Sequence, residues 1–495
     1  MKSRLCATLS LLAVVSLAAS KSSLASDFAS TLAVMSDPVP TVEVMSPKEG
    51  GSGYSPVPFR AHAMSPTCEK GIAAIRIYTA PGVNAYTVKD DDLNTTLSLA
   101  PGTYNTVVQA WDNCGAVGKT PVTITVTEKG GTHHLLYAIE ANGISGWILN
   151  AVTGILTPTG QEVVPAHGEP YRGASDPSGT HLYVANVSTN DVSAYTIDHA
   201  TGYLKEVPGS PYDVGRIATA VAVHPSGKFV YVTRSNATEG DGIAAFSVNP
   251  DGSLTAIPGS PYSTQISPDS LLVDSTGKYL YVADDEFDGA IDGFTIDATS
   301  GALTPISGSP FAVPPVSGCA ATFSADIIED VAGSRLYTAD TYDNAISGFR
   351  IDLKTGVLTA VPGSPFPNYP CLDPMVAFNP DTLAVLPSGK FLFAVNGIAQ
   401  TISSYSIDQA SGTIHFMGES AQCLDGLTTG PIIRSDPSGK FLYSVGVSGP
   451  GCGGSKAIIA ISVDPTSGTL KTVKGSPFLD PNPSSSVSGA IVMVP

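Results

Sequence analysis

The residues of this sequence that could carry acid–base chemistry stand at a repeated spacing. Arg172 and Asp326 each lie seven residues before a glycine, and Asp269 and Asp381 each lie eight residues before one. His167 lies five residues before Arg172. A general base at neutral pH is most easily a histidine, or a carboxyl group whose pKa is raised by burial beside another carboxylate. These five residues are the candidates for catalysis, provided that a fold brings them together.

The glycines that set this spacing belong to a long internal repeat. Each lies in a motif such as DPSGTHLYVAN from Asp176 or HPSGKFVYV from His224. A weakly apolar strand ends at the Ser-Gly turn, and an aromatic strand, a polar loop, a third strand, a second turn and a short fourth strand follow. Four short strands at a period of about 50 residues are typical of a propeller blade. The glycines are Gly179, Gly227, Gly277, Gly333, Gly389 and Gly439, separated by 48, 50, 56, 56 and 50 residues.

The two ends of the repeat predict a closed ring. Six units begin with a Ser-Gly or Gly-Ser turn, whereas a seventh, from His133, lacks an innermost strand. The C-terminal segment SGAIVMVP can supply that strand, and closure removes exposed sheet edges. We therefore predict a seven-bladed β-propeller over 132–495. The repeated Gly-Ser-Pro-Tyr/Phe is expected to carry the chain to the next blade, with the aromatic ring wedged between blades.

The N-terminus has the order of a secretory signal peptide. Lys2 and Arg4 precede an apolar run over 9–19, and small residues follow, with cleavage expected after Ser20 or Ser26. We assign 1–26 to the signal peptide and 27–39 to a flexible lead. The apolar run is shorter than the roughly 20 residues of a membrane span. We expect a secreted or periplasmic protein with no membrane span after signal removal, and the alternative is an uncleaved anchor helix.

Charge and motif content argue against several classes of function. The 43 acidic residues exceed the 25 basic ones, and the resulting net charge of −18 repels nucleic acid and anionic membrane surfaces. No CxxC, HxxxH or HExxH spacing, phosphate loop or dinucleotide fingerprint is present, so we expect no metal and no cofactor. The acidic clusters around Asp284 and around Asp340 with Asp343 do not match a calcium-loop spacing. We interpret them as solvated loop residues.

The segment 40–126 alternates apolar and polar residues, which predicts strands with one buried face. Its end, LAPGTYNTVVQAWDNCGAVGKTPVTITV, resembles the closing hairpin of bacterial Ig-like domains. The resemblance implies an Ig-like β-sandwich of about seven strands. It also places the loops of Cys68 and Cys114 at the same end of the sandwich, where a disulfide is plausible. The predicted fold class is therefore all-β, with an Ig-like β-sandwich before the propeller.

Signal removal leaves six cysteines, an even number that suggests three disulfides in an exported protein. Cys319, Cys371 and Cys423 each precede an innermost strand, and Cys452 lies in a second-to-third strand loop. Both kinds of connection emerge on the same face of a propeller, so neighbouring blades could bring pairs within bonding distance. We favour Cys319–Cys371 with Cys423–Cys452, and Cys371–Cys423 is the main rival.

The patterns P-S-G-K-[FY]-[LV]-Y-V and Y-x-I-D-x-x-[TS]-G-x-L, repeated over about 360 residues, resemble the lactonase-type seven-bladed propellers. That family includes bacterial 6-phosphogluconolactonase and fungal carboxymuconate-lactonizing enzymes. The resemblance implies that His, Arg and acidic residues on the innermost strands polarise and open a lactone, or close one. In this register Arg172, Asp269, Asp326 and Asp381 point into the central channel. No histidine stands at these positions, and His167 could reach the rim.

These observations lead to three hypotheses for function. The leading one is an extracytoplasmic binding or scaffold module that recognises a small molecule, a glycan or a protein at the propeller face. The second is a secreted lactone hydrolase of the 6-phosphogluconolactonase type, and the third is an accessory protein for envelope polysaccharide. A cluster of Arg172, His167 and a channel aspartate within hydrogen-bond reach would favour the enzyme, whereas separation would favour binding. We expect a monomer.

Overall fold

The computed structural model of the 495-residue chain describes 39–54, 57–100, 102–127, 133–140, 143–235, 242–264, 267–284, 289–316, 324–341, 343–367, 380–396, 401–421, 432–447, 456–479 and 489–494. The predicted signal peptide and most of the predicted lead lie outside these residues, as do Cys319, Cys371, Cys423 and Cys452. No helix in the described ranges is long and apolar enough to cross a membrane.

Two sheets pack face to face in the N-terminal unit. Its strands are β1 Thr41–Ser46, β2 Gly51–Tyr54, β3 Val57–Met64, β4 Ile72–Ala80, β5 Val83–Val88, β6 Asp92–Leu97, β7 Gly102–Asp112 and β8 Val117–Thr127. One sheet has the order β1-β3-β6 and the other has the order β2-β8-β7-β4-β5. Phe59, Ile75 and Val108 are fully buried between them. The unit is a two-layer β-sandwich, and its Ig-like assignment stays a prediction.

One end of the sandwich is closed by a disulfide between Cys68 and Cys114, whose Cα atoms are 5.8 Å apart. This confirms the predicted bridge. The turn before β8 is held by Asp112, whose Oδ1 accepts hydrogen bonds from the amides of Cys114 at 3.0 Å and Ala116 at 2.8 Å. The Ser65 hydroxyl donates to Oδ2 of the same carboxylate at 2.8 Å. Carboxylate and disulfide thus join the two loops.

Seven further sheets follow the sandwich, and each is one blade. The first three are β9 His133–Glu140, β10 Gly143–Asn150, β11 Leu156–Pro158; β12 Pro170–Ser175, β13 His181–Asn186, β14 Asp191–Asp198, β15 Tyr203–Glu206, β16 Tyr212–Asp213; and β17 Val221–Val223, β18 Phe229–Arg234, β19 Gly242–Val248, β20 Leu254–Ala256, β21 Tyr262–Ser263. The fourth and fifth are β22 Pro268–Val273, β23 Tyr279–Asp284, β24 Ala290–Ile296, β25 Leu303–Pro305, β26 Phe311–Ala312; and β27 Ser324–Asp330, β28 Arg335–Asp340, β29 Ala345–Ile351, β30 Leu358–Ala360, β31 Phe366–Pro367. The last two are β32 Pro380–Val385, β33 Phe391–Asn396, β34 Thr401–Ile407, β35 Ile414–Ala421; and β36 Ile433–Ser435, β37 Phe441–Val447, β38 Lys456–Val463, β39 Leu470–Thr472, β40 Phe478–Leu479, with β41 Gly489–Val494 returning to the first blade. The predicted end of the sandwich at 126 lies one residue before the end of β8, and the predicted start of the propeller at 132 lies one residue before β9.

The turn between the first and second strands of a blade is built by its Asp and Gly. In the second blade Asp176 Oδ1 accepts hydrogen bonds from the amides of Thr180 at 2.6 Å and His181 at 2.8 Å. Gly179 has a φ of 68°, which glycine adopts without steric cost. In the seventh blade Asp436 accepts from the amides four and five residues later at 2.9 and 2.8 Å. The repeated motif is therefore turn chemistry, which is why it predicts the fold well.

The Gly-Ser-Pro-aromatic motif forms a fifth strand that the sequence analysis did not predict. Tyr212 does not lead away from its blade, because β16 pairs with β14 through Val192 and Tyr212. The Ser210 hydroxyl accepts a hydrogen bond from the amide of Ala194 at 3.0 Å. At this point β14 changes its pairing partner from β15 to β16. The same arrangement recurs in the third, fourth, fifth and seventh blades. The first and sixth blades lack the motif, and each has four strands among its described residues.

Successive blades are linked by tyrosine hydroxyls from their second strands. Tyr337 donates to the carbonyl of Gly412 in the next blade at 2.7 Å. The sixth blade has Phe393 at the corresponding position, so its hydroxyl is missing at the junction with the seventh. The full set is Tyr137 to Gly202, Tyr183 to Gly252, Tyr231 to Gly301, Tyr281 to Gly356, Tyr337 to Gly412 and Tyr443 to Gly154.

The ring closes as predicted. Strand β41 pairs antiparallel with β9, from Gly489 opposite Glu140 to Val494 opposite Leu135, and becomes the innermost strand of the first blade. The junction is apolar, since Ile491 lies in one core cluster with Leu136 and Tyr443 of the seventh blade. The first blade therefore combines the two ends of the propeller segment, and six other blades make the total seven.

Candidate ligand site in the central channel

The innermost strands enclose a cavity of about 320 Å³ on the propeller axis. Its apolar lining comes from several blades, with Val221, Leu271, Ile327 and Ile491 among the contributors. Its charged lining residues are Arg172, Arg434, Asp326 and Glu329. A concave apolar space of this size with a few convergent polar groups is typical of a small-molecule site.

β-Bulges at the start of four innermost strands place the charged groups. The pairing of β12 with β13 shifts between Pro170 and Arg172, and corresponding shifts occur in β22, β27 and β32. A bulge inserts one extra residue and re-aims the neighbouring side chains. For this reason positions seven and eight before the turn glycine both contribute to the channel site, as with Arg172 in the second blade and Asp269 in the fourth.

Arg172 crosses the channel. Its Nη2 lies 3.4 Å from Oδ2 of Asp269 in the fourth blade and donates a hydrogen bond to the carbonyl of Ala325 in the fifth blade at 2.8 Å. The guanidinium also lies 5.5 Å from the centroid of the Tyr171 ring. Only 13% of the Arg172 side chain and 11% of the Asp269 side chain are exposed. The pair is therefore held inside the channel, where solvent screens it little.

A second pair lies beside the first. Nη1 of Arg434, from the seventh blade, is 3.5 Å from Oδ2 of Asp326 in the fifth blade. The same oxygen accepts hydrogen bonds from the Thr382 hydroxyl at 2.8 Å and the Leu383 amide at 3.1 Å. Ser270 donates to Oδ1 at 3.5 Å, at the limit of a hydrogen bond. Asp326 is thus fixed by three neighbours, whereas 32% of the Arg434 side chain stays exposed.

The charge of Asp326 affects the pKa values of the first pair. Burial raises the pKa of Asp269, the Arg172 charge opposes this, and the nearby carboxylate of Asp326 raises it further. Burial works against the charge of Arg172, but Asp269, Tyr171 and Asp326 outweigh it, so the pKa of Arg172 lies above its ordinary value. The channel therefore holds a permanent cation next to a carboxyl group that takes up a proton more readily than usual. Such a group could exchange a proton with a bound ligand.

The match to a family model identifies the fold. Residues 209–319 and 312–429 match the model described as "Lactonase, 7-bladed beta-propeller". The protein contains a lactonase-like seven-bladed β-propeller. No curated protein matches the chain.

Solved structures support the lactonase-like propeller over its whole length. A proposed 6-phosphogluconolactonase from Bacteroides uniformis is similar with a TM-score of 0.58 and 17% identity, over 73% of this chain and 99% of that one. A second, from Bacteroides fragilis, has a TM-score of 0.57 and 19% identity, over 74% and 99%. The periplasmic gluconolactonase of Pseudomonas aeruginosa has a TM-score of 0.58 and 18% identity, over 73% and 99%. Identities this low establish the fold alone.

Three of the five predicted site residues are absent from the described cavity lining, although one of them, Asp269, pairs with the lining residue Arg172. His167 is beside Glu206 on the outer strand β15, with 2.7 Å between Nε2 and Oε1, and 41% of its side chain is exposed. Asp381 is half-buried at the bulge of β32. Among the described residues, the cavity lining includes Arg172 and Asp326 but neither His167 nor Asp381. The structure thus brings together Arg172, Asp269 and Asp326.

Two charged lining residues of the lactonase-like propeller were missed by the sequence analysis. Arg434 lies five residues before Gly439, and Glu329 lies four before Gly333. The Glu329 carboxylate accepts hydrogen bonds from the amide of Ser275 at 2.7 Å and its hydroxyl at 2.9 Å, while burial raises the pKa of Glu329 to about 7. A signal for Arg434 was available, because its position is apolar in the other five blades. The equivalents are Ala174, Ala222, Leu272, Ile328 and Ala384.

The interpretation of Asp340 and Asp343 as solvated loop residues is wrong. Each is only 1% exposed. Asp340 accepts hydrogen bonds from Ser324 at 2.9 Å, Thr338 at 2.8 Å and Ser347 at 2.5 Å, and burial raises its pKa to about 7. The carboxyl group fastens the end of the second strand to its two neighbours. Sequence spacing did not reveal this role because the hydroxyl partners lie on three different strands.

Proposed function

We propose that the central channel of this propeller binds a small sugar-derived lactone or the corresponding open acid, as an extracytoplasmic binding protein. The observation that carries the proposal is the pair of arginines, Arg172 and Arg434, that enter one 320 Å³ cavity from the second and seventh blades. Guanidinium groups match the carbonyl of a lactone or the carboxylate of an acid. The separation of His167 from Arg172 favours binding over hydrolysis.

Calorimetric titration of the mature protein with D-gluconate and D-glucono-1,5-lactone tests this proposal. Arg172→Met should lower the affinity at least tenfold, because it removes one of the two cations of the cavity. A matched control is Arg350→Met, since Arg350 is exposed on the fifth blade and contacts carbonyls of Ala410 and Ser411. Equal losses in both variants, or no binding by the parent protein, would refute the channel as the site.

Lactone hydrolysis is a second candidate, favoured by the raised pKa of Asp269 beside Arg172. In this scheme Arg172 polarises the lactone carbonyl, water attacks the carbonyl carbon, and Asp269 accepts the proton of that water. The ring C–O bond then breaks and the same proton passes to the ring oxygen, which gives the open hydroxy acid. Release of acid from D-glucono-1,5-lactone should exceed the spontaneous rate and disappear in Asp269→Asn. If the parent protein does not exceed the spontaneous rate, hydrolysis is refuted and binding is the only proposed function that is left.

The extracytoplasmic location has its own support. The leader pattern of the first 26 residues and the Cys68–Cys114 disulfide both suit an oxidising compartment. Mass spectrometry of the exported protein should find an N-terminus near Lys21 or Asp27. An exported chain that retains Met1 would contradict this location signal.

A further inference from the structure

The charges of the cavity are balanced before any ligand arrives. Arg172 lies 3.4 Å from Asp269, and Arg434 lies 3.5 Å from Asp326. Each arginine entering the channel therefore already faces an aspartate. Glu329 adds a further carboxyl group to the same lining.

A phosphate group would disturb this balance. To bind it, the arginines would have to turn their charge from the aspartates to the phosphate, and the buried carboxylates would lose their counter-charges. Only 11% of the Asp269 side chain and 4% of the Asp326 side chain are exposed, so water cannot replace those partners. Leaving a buried charge without its partner is among the costliest changes in a protein interior.

The propeller segments outside the described residues supply no further cation. Between 141 and 495, the segments outside the described residues contain acidic residues but no lysine, arginine or histidine. Arg216 precedes the innermost strand of the third blade, yet it is not among the described cavity-lining residues. A phosphate in the cavity would thus add two negative charges to a lining that already has at least as many acids as bases.

The same lining suits uncharged polar groups. Ser270 places a lining hydroxyl beside Asp326, and Val221, Leu271, Ile327 and Ile491 supply apolar surface. A single carbonyl or carboxylate can approach the exposed part of Arg434 while both pairs remain in place. We propose that the channel selects an unphosphorylated sugar lactone or acid and discriminates against its phosphorylated counterpart. This inference rests on the proposed channel function.

Calorimetry with three probes tests the selectivity: D-glucono-1,5-lactam as a stable neutral analogue, D-gluconate, and 6-phospho-D-gluconate. The last two differ only in the phosphate. We expect 6-phospho-D-gluconate to bind at least tenfold more weakly than D-gluconate, and the lactam to bind as well as or better than D-gluconate. Asp326→Asn should reduce this difference in affinity, because it removes one negative charge. The asparagine oxygen can still accept the hydrogen bond from the Leu383 amide. Asp269→Asn provides a second variant should the first fail to fold.

The outcomes distinguish failure of the selectivity from failure of the proposed channel function. Equal or tighter binding of 6-phospho-D-gluconate would overturn the selectivity while leaving the channel as the binding site. If the difference in affinity between D-gluconate and 6-phospho-D-gluconate stays unchanged in both asparagine variants, the charge balance is not its cause. Binding of none of the three probes would overturn the proposed channel function, and the selectivity with it.

Discussion

Arg172 of the second blade and Asp269 of the fourth blade meet across the propeller channel, with 3.4 Å between Nη2 and Oδ2. The two residues are 97 positions apart in the sequence. Both residues lie at bulges of their innermost strands, and a bulge re-aims the neighbouring side chains. The pair therefore depends on the packing of separate blades around the channel.

The strength of this pair can be measured by a double-mutant cycle. Arg172→Met should lower the free energy of unfolding by about 3 kcal/mol, because Asp269 then lacks its buried counter-charge. The double variant Arg172→Met/Asp269→Leu should recover most of the loss, since both charges are gone. Urea unfolding at neutral pH gives the values. Additive losses would mean that the two residues are not coupled.

The junction between the sixth and seventh blades lacks the tyrosine hydroxyl found at the other six. Phe393→Tyr should place a donor near the carbonyl of Gly468, the counterpart of Gly412 in the preceding blade, and stabilise the protein by about 1 kcal/mol. Tyr337→Phe is the reverse control and should cost a similar amount, because it leaves the carbonyl of Gly412 without its donor. Thermal unfolding compares the three proteins. A destabilised Phe393→Tyr would show that the junction cannot accept a hydroxyl.

The stability of the propeller should depend on pH through Asp340. Its pKa is about 7 in the folded protein and 3.8 for an ordinary aspartate. The folded state holds this proton more tightly than the unfolded state, so the contribution of Asp340 to stability is greatest at low pH and falls as pH rises from about 4 to about 7. The loss reaches at most about 4 kcal/mol and changes little above pH 7. Glu329, with a pKa raised to about 7, acts in the same direction.

Asp340→Asn isolates this contribution. Asn186 and Asn396 stand at the equivalent place in two other blades, where each donates to a serine hydroxyl at 2.8 Å. The variant should therefore fold, should lose part of the pH dependence, and should be more stable than the parent protein at pH 8. The measurement is urea unfolding at pH 5 and pH 8. An identical pH profile in variant and parent would contradict a raised pKa at Asp340.

The disulfide pattern of the propeller stays a prediction. Non-reducing peptide mapping of the exported protein should find Cys68–Cys114 together with Cys319–Cys371 and Cys423–Cys452. Detection of Cys371–Cys423 would select the rival pairing, and four free thiols would refute both pairings.

The fold could be predicted because its signals are local, whereas the site depends on contacts between distant blades. The Asp176 and Gly179 turn is encoded within a few residues, and its repetition gives the number of blades. The extra strand at Tyr212 was missed because its pairing with β14 requires knowing where that strand changes partner. Arg434 was missed because it lies five residues before its turn glycine, whereas the predicted strand positions lie seven and eight residues before theirs.

His167 illustrates the limit most clearly. Its sequence distance from Arg172 suggested the channel rim, but its partner is Glu206, 39 residues further on. The local sequence does not reveal a hydrogen bond between residues so far apart. The candidate site therefore differs from the prediction in two ways. Among the described residues that line the cavity there is a second arginine, Arg434, and there is no histidine.

A crystal structure of the mature protein soaked with D-gluconate tests the channel as the ligand site most directly. We predict the ligand in the 320 Å³ cavity, with its carboxylate within hydrogen-bond distance of Arg434 or Arg172. The soak should use a concentration at which calorimetry shows saturation, and Arg172→Met crystals soaked in the same way provide the control. Density for D-gluconate elsewhere on the protein, with the channel free of ligand, would contradict the account.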